Sequence, residues 1–274
     1  MKNLYIVVFL LGCFCSNAQN TYGEIFYNFN LNFNYCIDNY EYKATLVFND
    51  FTSVFNYNSS KLEGEYQVDL TCGHLHNENH TTITRYVFED DGQKTYYNKT
   101  TNKLYSQQLL EYNYLIWVQD DGIDFNWKIT NETKKIGTYL AYKAQTNFRG
   151  RLYNAWFTYG IPLSYGPWKF HGLPGLILEI KDEFNQIHIT ANTIKITKNS
   201  SDQIAWPEVK EALGIEEFLN QKYLLYQDKI ETQKAVLANK GSGFSKRFKP
   251  QPYYSIEFLD SQIELLQAII YQVE

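Results

Sequence analysis

Hydrophobic and polar residues alternate with a period of two along much of the chain up to about residue 196. The clearest run is Ile123–Ile129, where isoleucine, phenylalanine and tryptophan alternate with aspartate, asparagine and lysine. Successive side chains of a strand point to opposite faces, so this period predicts strands with one buried face and one solvated face. The predicted fold class is mainly β, an antiparallel and strongly curved sheet or half-open barrel.

Short turn sequences separate the predicted strands and indicate hairpins. Asp90-Asp91-Gly92 and Asp121-Gly122 are the strongest of these signals, because tight hairpin turns need residues with positive φ. The strand pairs predicted from the turns are Ala44–Phe48 with Thr52–Tyr57, Thr84–Phe88 with Lys94–Tyr97, Tyr114–Val118 with Ile123–Ile129, Tyr139–Phe148 with Arg151–Thr158, and Leu176–Ile180 with Ile187–Ala191.

The pattern changes after Trp206 to a helical period. Pro207 and Gly214 predict the two ends of a short helix, since proline fits the first helical turn and glycine commonly follows the last. Apolar residues at helical spacing predict a longer helix over about 215–237 and a last one over 263–273. We expect these C-terminal helices to pack on the sheet.

The first residues have the order of an export signal: a basic Lys2, the apolar core Leu4–Leu11, and the cleavage site Ser16-Asn17-Ala18. This core is much shorter than the ~20 residues that span a bilayer, so no transmembrane helix is predicted. Lipid anchoring at Cys13 is the alternative, which the very short apolar core before Cys13 disfavours. The predictions are a signal peptide (1–18), an antiparallel β-domain (19–200) and a helical C-terminal region (201–274), in a periplasmic, outer-membrane-associated or secreted protein.

Charge and composition narrow the function. The formal charge is −5 and the lysines and arginines are scattered, which argues against nucleic-acid binding because that depends on neutralising phosphates. The chain has 24 tyrosines and 18 phenylalanines, residues that favour half-buried pleated surfaces. A large sheet with one wet face accounts for them, and an aromatic-lined ligand groove is the alternative.

A pair of cysteines and a group of histidines are candidates for a disulfide and a metal site. Cys36 and Cys72 are the cysteines that remain after signal removal, and in an oxidising compartment they are candidates for one disulfide. His74, His76 and His80 are the candidate metal ligands, because imidazoles suit zinc or copper. Their spacing matches no established zinc motif, so a solvated loop is the favoured interpretation, and no cofactor is predicted.

The most distinctive run is rich in glycine, proline and aromatic residues and ends in Gly172-Leu173-Pro174-Gly175-Leu176-Ile177. Pro174 and Gly175 predict a type II turn, with positive φ at Gly175. We expect Gly172 at a point where a side chain would collide with a neighbouring strand. The favoured role is structural, a wound connection between strands.

The alternative role is ligand binding. Tyr159, Tyr165, Trp168 and His171 would form the rim of a pocket. Two arginines beside Gly150 would hold an anionic group, but pairing with surface carboxylates or packing over aromatic rings is the favoured interpretation of these arginines. The complete candidate ligand-binding set is Trp156, Tyr159, Tyr165, Trp168, His171, Arg149 and Arg151.

The run from Ala155 to Ile180 resembles the signature of the GLPGLI family, exported proteins of Bacteroidota-type bacteria with no assigned biochemical role. Asp124–Lys128, Thr133–Tyr139 and Phe148–Arg151 resemble adjoining elements of that family. The resemblance implies export and leaves the function open. Family members often carry a cysteine where this chain has Ala141, so any bridge here must join Cys36 and Cys72.

The leading hypothesis is a non-catalytic binding or carrier module of the cell envelope. By analogy with half-barrel lipoprotein carriers, its concave face would hold an apolar or amphipathic ligand. The alternatives are an interaction partner of an outer-membrane protein machine, or a metal-dependent enzyme that uses His74, His76 and His80.

Overall fold

The structure, a computed structural model, describes residues 21–31, 40–59, 67–68, 81–82, 93–111, 114–198 and 202–239. Most of these residues form strands, as the alternating pattern predicts. The described elements are, in chain order, β1 (Thr21–Leu31), β2 (Tyr40–Phe48), β3 (Thr52–Ser59), β4 (Gln67–Val68), β5 (Thr81–Thr82), β6 (Gln93–Asn98), β7 (Lys103–Glu111), β8 (Tyr114–Gln119), β9 (Lys128–Ile136), β10 (Tyr139–Phe148), β11 (Arg151–Thr158), β12 (Leu176–Asp182), β13 (Ile187–Lys198), β14 (Leu213–Gly214) and α1 (Ile215–Asn239).

Twelve of these strands form one sheet, in the order β14-β8-β7-β6-β3-β2-β1-β13-β12-β11-β10-β9. Neighbours in it are antiparallel except for β14 and β8, which are parallel. Strands β4 and β5 pair separately. Because β14 and β9 lie at opposite ends, the sheet that the described strands form is not closed into a barrel. The mainly-β prediction is confirmed.

Three predicted hairpins, β2–β3, β10–β11 and β12–β13, are confirmed. In the first, the side-chain oxygen of Asn49 accepts hydrogen bonds from the N–H groups of Phe51 and Thr52 at 2.9 and 2.8 Å. In the second, Arg149 and Gly150 have φ values of 48° and 77°, as a two-residue hairpin turn requires. The predicted strand Thr84–Phe88 lies outside the described residues.

The hairpin predicted at Asp121-Gly122 is wrong. The neighbours of β8 are β7 and β14, whereas β9 lies at the far end of the sheet. Gly122 has a positive φ of 70°, but its N–H donates to the carbonyl oxygen of Asn102 at 3.2 Å. The Asp121 carboxylate accepts a hydrogen bond from the N–H of Leu104 at 2.8 Å. These bonds attach the turn to the beginning of β7, so the chain leaves β8 instead of folding back on it.

Most of the predicted strand Ile123–Ile129 is irregular, and only Lys128 and Ile129 belong to β9. The Asp124 carboxylate accepts a hydrogen bond from the N–H of Asn126 at 3.0 Å, and Asn126 has a φ of 48°. Such an aspartate turn interrupts an extended backbone. Phe125 is buried between the exposed Asp124 and Asn126, so the alternation reflects the packing of an irregular segment on the core.

The C-terminal region is also corrected. No helix forms between Pro207 and Gly214, where the described chain is irregular and ends in β14. Helix α1 begins at Ile215 as predicted, and Phe218 and Leu219 are buried against Val118 of β8. Farther along, Leu224 is 61% exposed. The predicted packing of C-terminal helices over the sheet is not supported. The polar segment 220–222 interrupts the apolar stripe of α1. Residues 240–274, which include the predicted last helix, lie outside the described part.

The core lies on one face of the sheet and is covered by residues 159–175, which we call the motif loop. Its buried apolar residues are Ile161, Tyr165, Trp168, Phe170 and Leu173. They pack on inward-facing side chains of several strands, as Tyr165 does on Phe48 of β2, with ring centroids 5.4 Å apart. The phenol of Tyr27 in β1 donates a hydrogen bond to the carbonyl oxygen of Ile177 at 2.7 Å. The motif loop is therefore part of the core.

Candidate functional site

The motif loop is held to the sheet by a buried cluster of charges. The Asp120 carboxylate, directly after β8, binds the Arg149 guanidinium at 2.8 Å and the Lys169 ammonium at 2.9 Å. The Lys169 side chain is fully buried and Asp120 is 3% exposed. Since an unpaired charge is very costly in a protein interior, these ion pairs fix the position of the loop.

The sequence prediction missed this cluster. Lys169 is a single charge within the buried run 165–171, and lysine is almost never fully buried unless it is paired. That rule would have indicated a buried carboxylate partner. It would not have identified Asp120, which is 49 residues away in the chain.

Arg149 and Arg151 are both engaged by carboxylates. The Arg151 guanidinium is buried and bonds to Asp182 at 2.8 Å and to the side chain of Gln186 at 2.7 Å. The Asp182 carboxylate in turn accepts hydrogen bonds from the N–H groups of Gln186 and Ile187. An anionic ligand would have to displace carboxylates from both arginines.

The residues predicted to form the aromatic rim do not lie together around a pocket. Tyr165, Trp168 and His171 are at most 6% exposed and lie within the core. Tyr159 is 48% exposed and packs edge-on against Tyr142, with ring centroids 4.9 Å apart. Trp156 points to the opposite face of β11, where the Lys134 ammonium lies 4.4 Å from its ring centroid.

The conformational roles predicted for Gly172 and Gly175 are interchanged. Gly172 has a φ of +91°, with open space around the position of a Cβ out to 3.9 Å. Gly175 does not have a positive φ, so the type II turn predicted there is wrong. A Cβ on Gly175 would lie 2.0 Å from the carbonyl oxygen of Thr158. Gly175 is thus required by the close approach of β11, and Gly172 by its backbone conformation.

His171 is oriented by its surroundings. Its Nδ1 lies 2.7 Å from the carbonyl oxygen of Lys169, and its ring stacks on Tyr97 with centroids 3.9 Å apart. A carbonyl oxygen only accepts, so Nδ1 carries the proton and Nε2 of the neutral ring carries a lone pair. Burial lowers the pKa of the imidazole below 6.5, although the bond to Lys169 and the charge of Asp120 oppose this shift. The ring is therefore neutral near pH 7.

Trp127 connects the irregular segment to the motif loop. Its indole N–H donates to the carbonyl oxygen of His171 at 2.8 Å, and its ring stacks on Phe125 with centroids 5.4 Å apart. Phe125 also contacts the His171 ring edge-on at 5.1 Å. Two segments far apart in sequence thereby form one wall.

A shallow pocket of about 280 Å³ lies between these segments. Its volume is just below the roughly 300–1,000 Å³ of typical small-molecule sites. Asp124 is the charged residue of the lining, and His171 and Asn126 are the other polar side chains. The residues that line it are Ile123, Asp124, Phe125, Asn126, Trp127, Ile129, His171, Gly172, Leu173 and Pro174. Of the predicted ligand-binding residues, His171 is the one in this lining.

The remaining sequence predictions fall on residues that the structure does not describe. These are the signal peptide with Cys13, the pair Cys36 and Cys72, and the three histidines His74, His76 and His80. Within the described residues, no group of three or more His, Cys, Asp or Glu side chains has an arrangement that would hold a metal ion. No helix in the described part of the chain combines the length and the apolar character that crossing a membrane requires.

Comparison with known proteins gives similarity over part of the chain. Two solved structures of PNGF-II, in space groups C2 and P21, are 15% and 16% identical to it and have a TM-score of 0.46. Each match covers 75% of this chain and 33% of the PNGF-II chain, so the similarity spans about a third of that protein. No curated protein matches the sequence. The family model described as a protein of unknown function (Porph_ging) matches residues 149–179, which gives partial support to the GLPGLI-type resemblance.

Proposed function

We propose that the protein is a non-catalytic binding module of the cell envelope, exported by the signal at residues 1–18, and that it binds a small ligand between segment 123–129 and the motif loop. The observation that carries this proposal is the pocket of about 280 Å³ formed by these two segments.

The walls of the pocket are held in place before any ligand arrives. The indole N–H of Trp127 bonds to the His171 backbone, and the ion pair between Asp120 and Lys169 holds the loop two residues earlier. A site held by a bonded supporting shell loses little conformational freedom on binding, which favours affinity. This rigidity supports a binding role for the pocket.

The size of the pocket favours a ligand smaller than a lipid. About 280 Å³ suits one ring or one side chain, and the motif loop occupies the core face where a carrier would hold apolar cargo. The lining mixes polar groups such as Asp124 with apolar Ile129 and Leu173. We therefore propose a small amphipathic ligand, or one side chain of a larger partner.

Filling the pocket with a bulky side chain tests the proposal. Ile129 in β9 lines the pocket and is 48% exposed, so Ile129→Trp adds bulk there at little cost to folding. Leu140 in β10 is also 48% exposed and does not line the pocket, so Leu140→Trp is the matched control. Wild type and both variants are purified without detergent from the envelope of the native host and weighed by native mass spectrometry.

The expected result is a protein that begins at Gln19 and carries a small molecule or peptide in the wild type and in Leu140→Trp, but not in Ile129→Trp. Equal occupancy in all three proteins would place binding elsewhere. The proposal would be wrong if none carried a ligand and envelope extracts supplied none to the purified wild type. An intact cytoplasmic protein that retains residues 1–18 would contradict the envelope assignment.

A further inference from the structure

The pocket offers hydrogen-bond acceptors, whereas several N–H donors of its wall are already engaged; the exposed side-chain amide of Asn126 can both donate and accept. The indole N–H of Trp127 already donates to His171, and the N–H of Gly172 donates to the carbonyl oxygen of Ser164 at 3.2 Å. Nδ1–H of His171 is used by the carbonyl oxygen of Lys169, and Pro174 has no N–H. Three N–H groups of the wall are therefore occupied by the protein itself, and a fourth residue has none to offer.

The acceptors, in contrast, remain available. Asp124 is exposed, and its carboxylate uses one oxygen to accept from the N–H of Asn126, which leaves the second oxygen and the negative charge. Nε2 of the neutral His171 ring has a lone pair, and His171 lines the pocket. The lining contains no lysine or arginine that would neutralise Asp124.

The aromatic part of the wall also favours a positively charged ligand. Phe125 and Trp127 stack with an interplanar angle of 28°, and both line the pocket beside Asp124. Aromatic faces carry negative electrostatic potential and attract ammonium and guanidinium groups, most strongly in the case of tryptophan. Carboxylate, imidazole lone pair and aromatic rings thus complement the same kind of ligand.

We infer that this pocket binds the cationic, hydrogen-bond-donating end of an amine or guanidine. Asp124 supplies the opposite charge, Nε2 of His171 accepts one hydrogen bond, and Trp127 contacts the alkyl chain or the cation. Such a group is present at the end of a lysine or arginine side chain in a peptide and in free polyamines. The inference rests on the proposed binding function and specifies the ligand of that site.

The test uses the full mature protein and four probes that each contain a four-carbon chain: n-butylammonium, n-butylguanidinium, butanol and butyrate. Binding is followed by NMR on the indole N–H signals of ¹⁵N-labelled protein, with the Trp127 signal assigned from Trp127→Phe. The two cations are expected to shift that signal in a saturable way, whereas butanol and butyrate are not. Blocked lysine and arginine peptides, compared with spermidine, then distinguish a peptide from a free amine as the source.

Asp124→Asn isolates the charge, because asparagine keeps the volume of the side chain and the oxygen that accepts from Asn126. It is expected to weaken cation binding about tenfold, as for loss of a hydrogen bond to a charged group. Glu211→Gln removes another exposed carboxylate, outside the lining, and is expected to change nothing. The thermal midpoint of Asp124→Asn should match that of the wild type.

Equal binding of butanol, or preferential binding of butyrate, would overturn the inference. So would cation affinity that is unchanged in Asp124→Asn. If no probe binds but wild type carries an envelope ligand that Ile129→Trp loses, the cationic specificity is wrong and the binding function stands. If neither a probe nor an envelope ligand binds, both fail.

Discussion

At the scale of single residues, two glycines of the motif have different physical requirements. Gly172 needs a left-handed backbone, and Gly175 needs the absence of a Cβ where the chain passes the carbonyl oxygen of Thr158. Pro174-Gly175 is a good turn dipeptide by local rules, and this is why sequence reasoning assigned the positive φ to Gly175. The contact with Thr158 arises because β11 pairs with β12. Turn preferences read from neighbouring residues cannot predict such a pairing.

These requirements predict different costs for the same change. Gly175→Ala forces a Cβ into backbone and should destabilise the protein by about 3 kcal/mol or more, at or above the upper end of overpacking costs. Gly172→Ala meets only backbone strain and should cost about 1–2 kcal/mol. Gly137→Ala is the control for strain alone, because Gly137 has a φ of +56° and open space around it. Denaturant unfolding measures all three, and similar losses for Gly175→Ala and Gly137→Ala would contradict the close-approach argument.

At the scale of elements, hairpins with self-contained turns were predictable from sequence. The β10–β11 turn uses only its own Arg149 and Gly150 to reach positive φ. The turn at Asp121-Gly122 has the same local chemistry but bonds to Asn102 and Leu104, so its path is set by residues distant in sequence. The candidate site likewise depends on contacts between residues distant in sequence, such as the hydrogen bond from the Trp127 indole to the His171 backbone. The sequence therefore indicated His171 as a candidate but did not indicate that Trp127 lies beside it.

The buried charges between β8 and the motif loop permit a prediction at this scale. Asp120→Asn removes the carboxylate charge that pairs with the Lys169 ammonium and the Arg149 guanidinium, so it should cost about 3–5 kcal/mol of unfolding free energy. Lys169→Met should cost clearly less, because Asp120 keeps its ion pair with Arg149 and the flexible methionine side chain brings no charge into the interior. Glu179→Gln is the reference, since Glu179 pairs with the more exposed Lys134 and His188, which are 35% and 36% exposed, and its loss should therefore cost less than that of a pair of buried charges.

Denaturant unfolding monitored by circular dichroism gives these free energies. The expected order of destabilisation is Asp120→Asn, then Lys169→Met, then Glu179→Gln. A loss for Asp120→Asn no larger than that for Glu179→Gln would mean that water reaches the cluster and that the motif loop is held mainly by its aromatic contacts.

At the scale of the whole molecule, an open sheet has ends that must avoid pairing with other chains. In the described structure, β14 and the beginning of α1 occupy one end, where Phe218 and Leu219 cover Val118. The other end is β9, which has a described neighbour only on the β10 side. Exposed lysines such as Lys128 and Lys135 lie along β9, and charged edge strands resist edge-to-edge association.

Lys135 is the most informative of these lysines, because it lies directly opposite Leu140, which is 48% exposed. Lys135→Val would remove a charge, raise the strand propensity of the edge and extend the apolar surface of Leu140. We expect this variant to form dimers or larger species with rising concentration, measured by size-exclusion chromatography with light scattering. Lys43→Val is the matched control, since Lys43 is exposed on β2, which lies between β1 and β3. Equal self-association of the two variants would show that the loss of charge alone causes association. If Lys135→Val instead behaves like the wild type, something other than the lysines protects this edge.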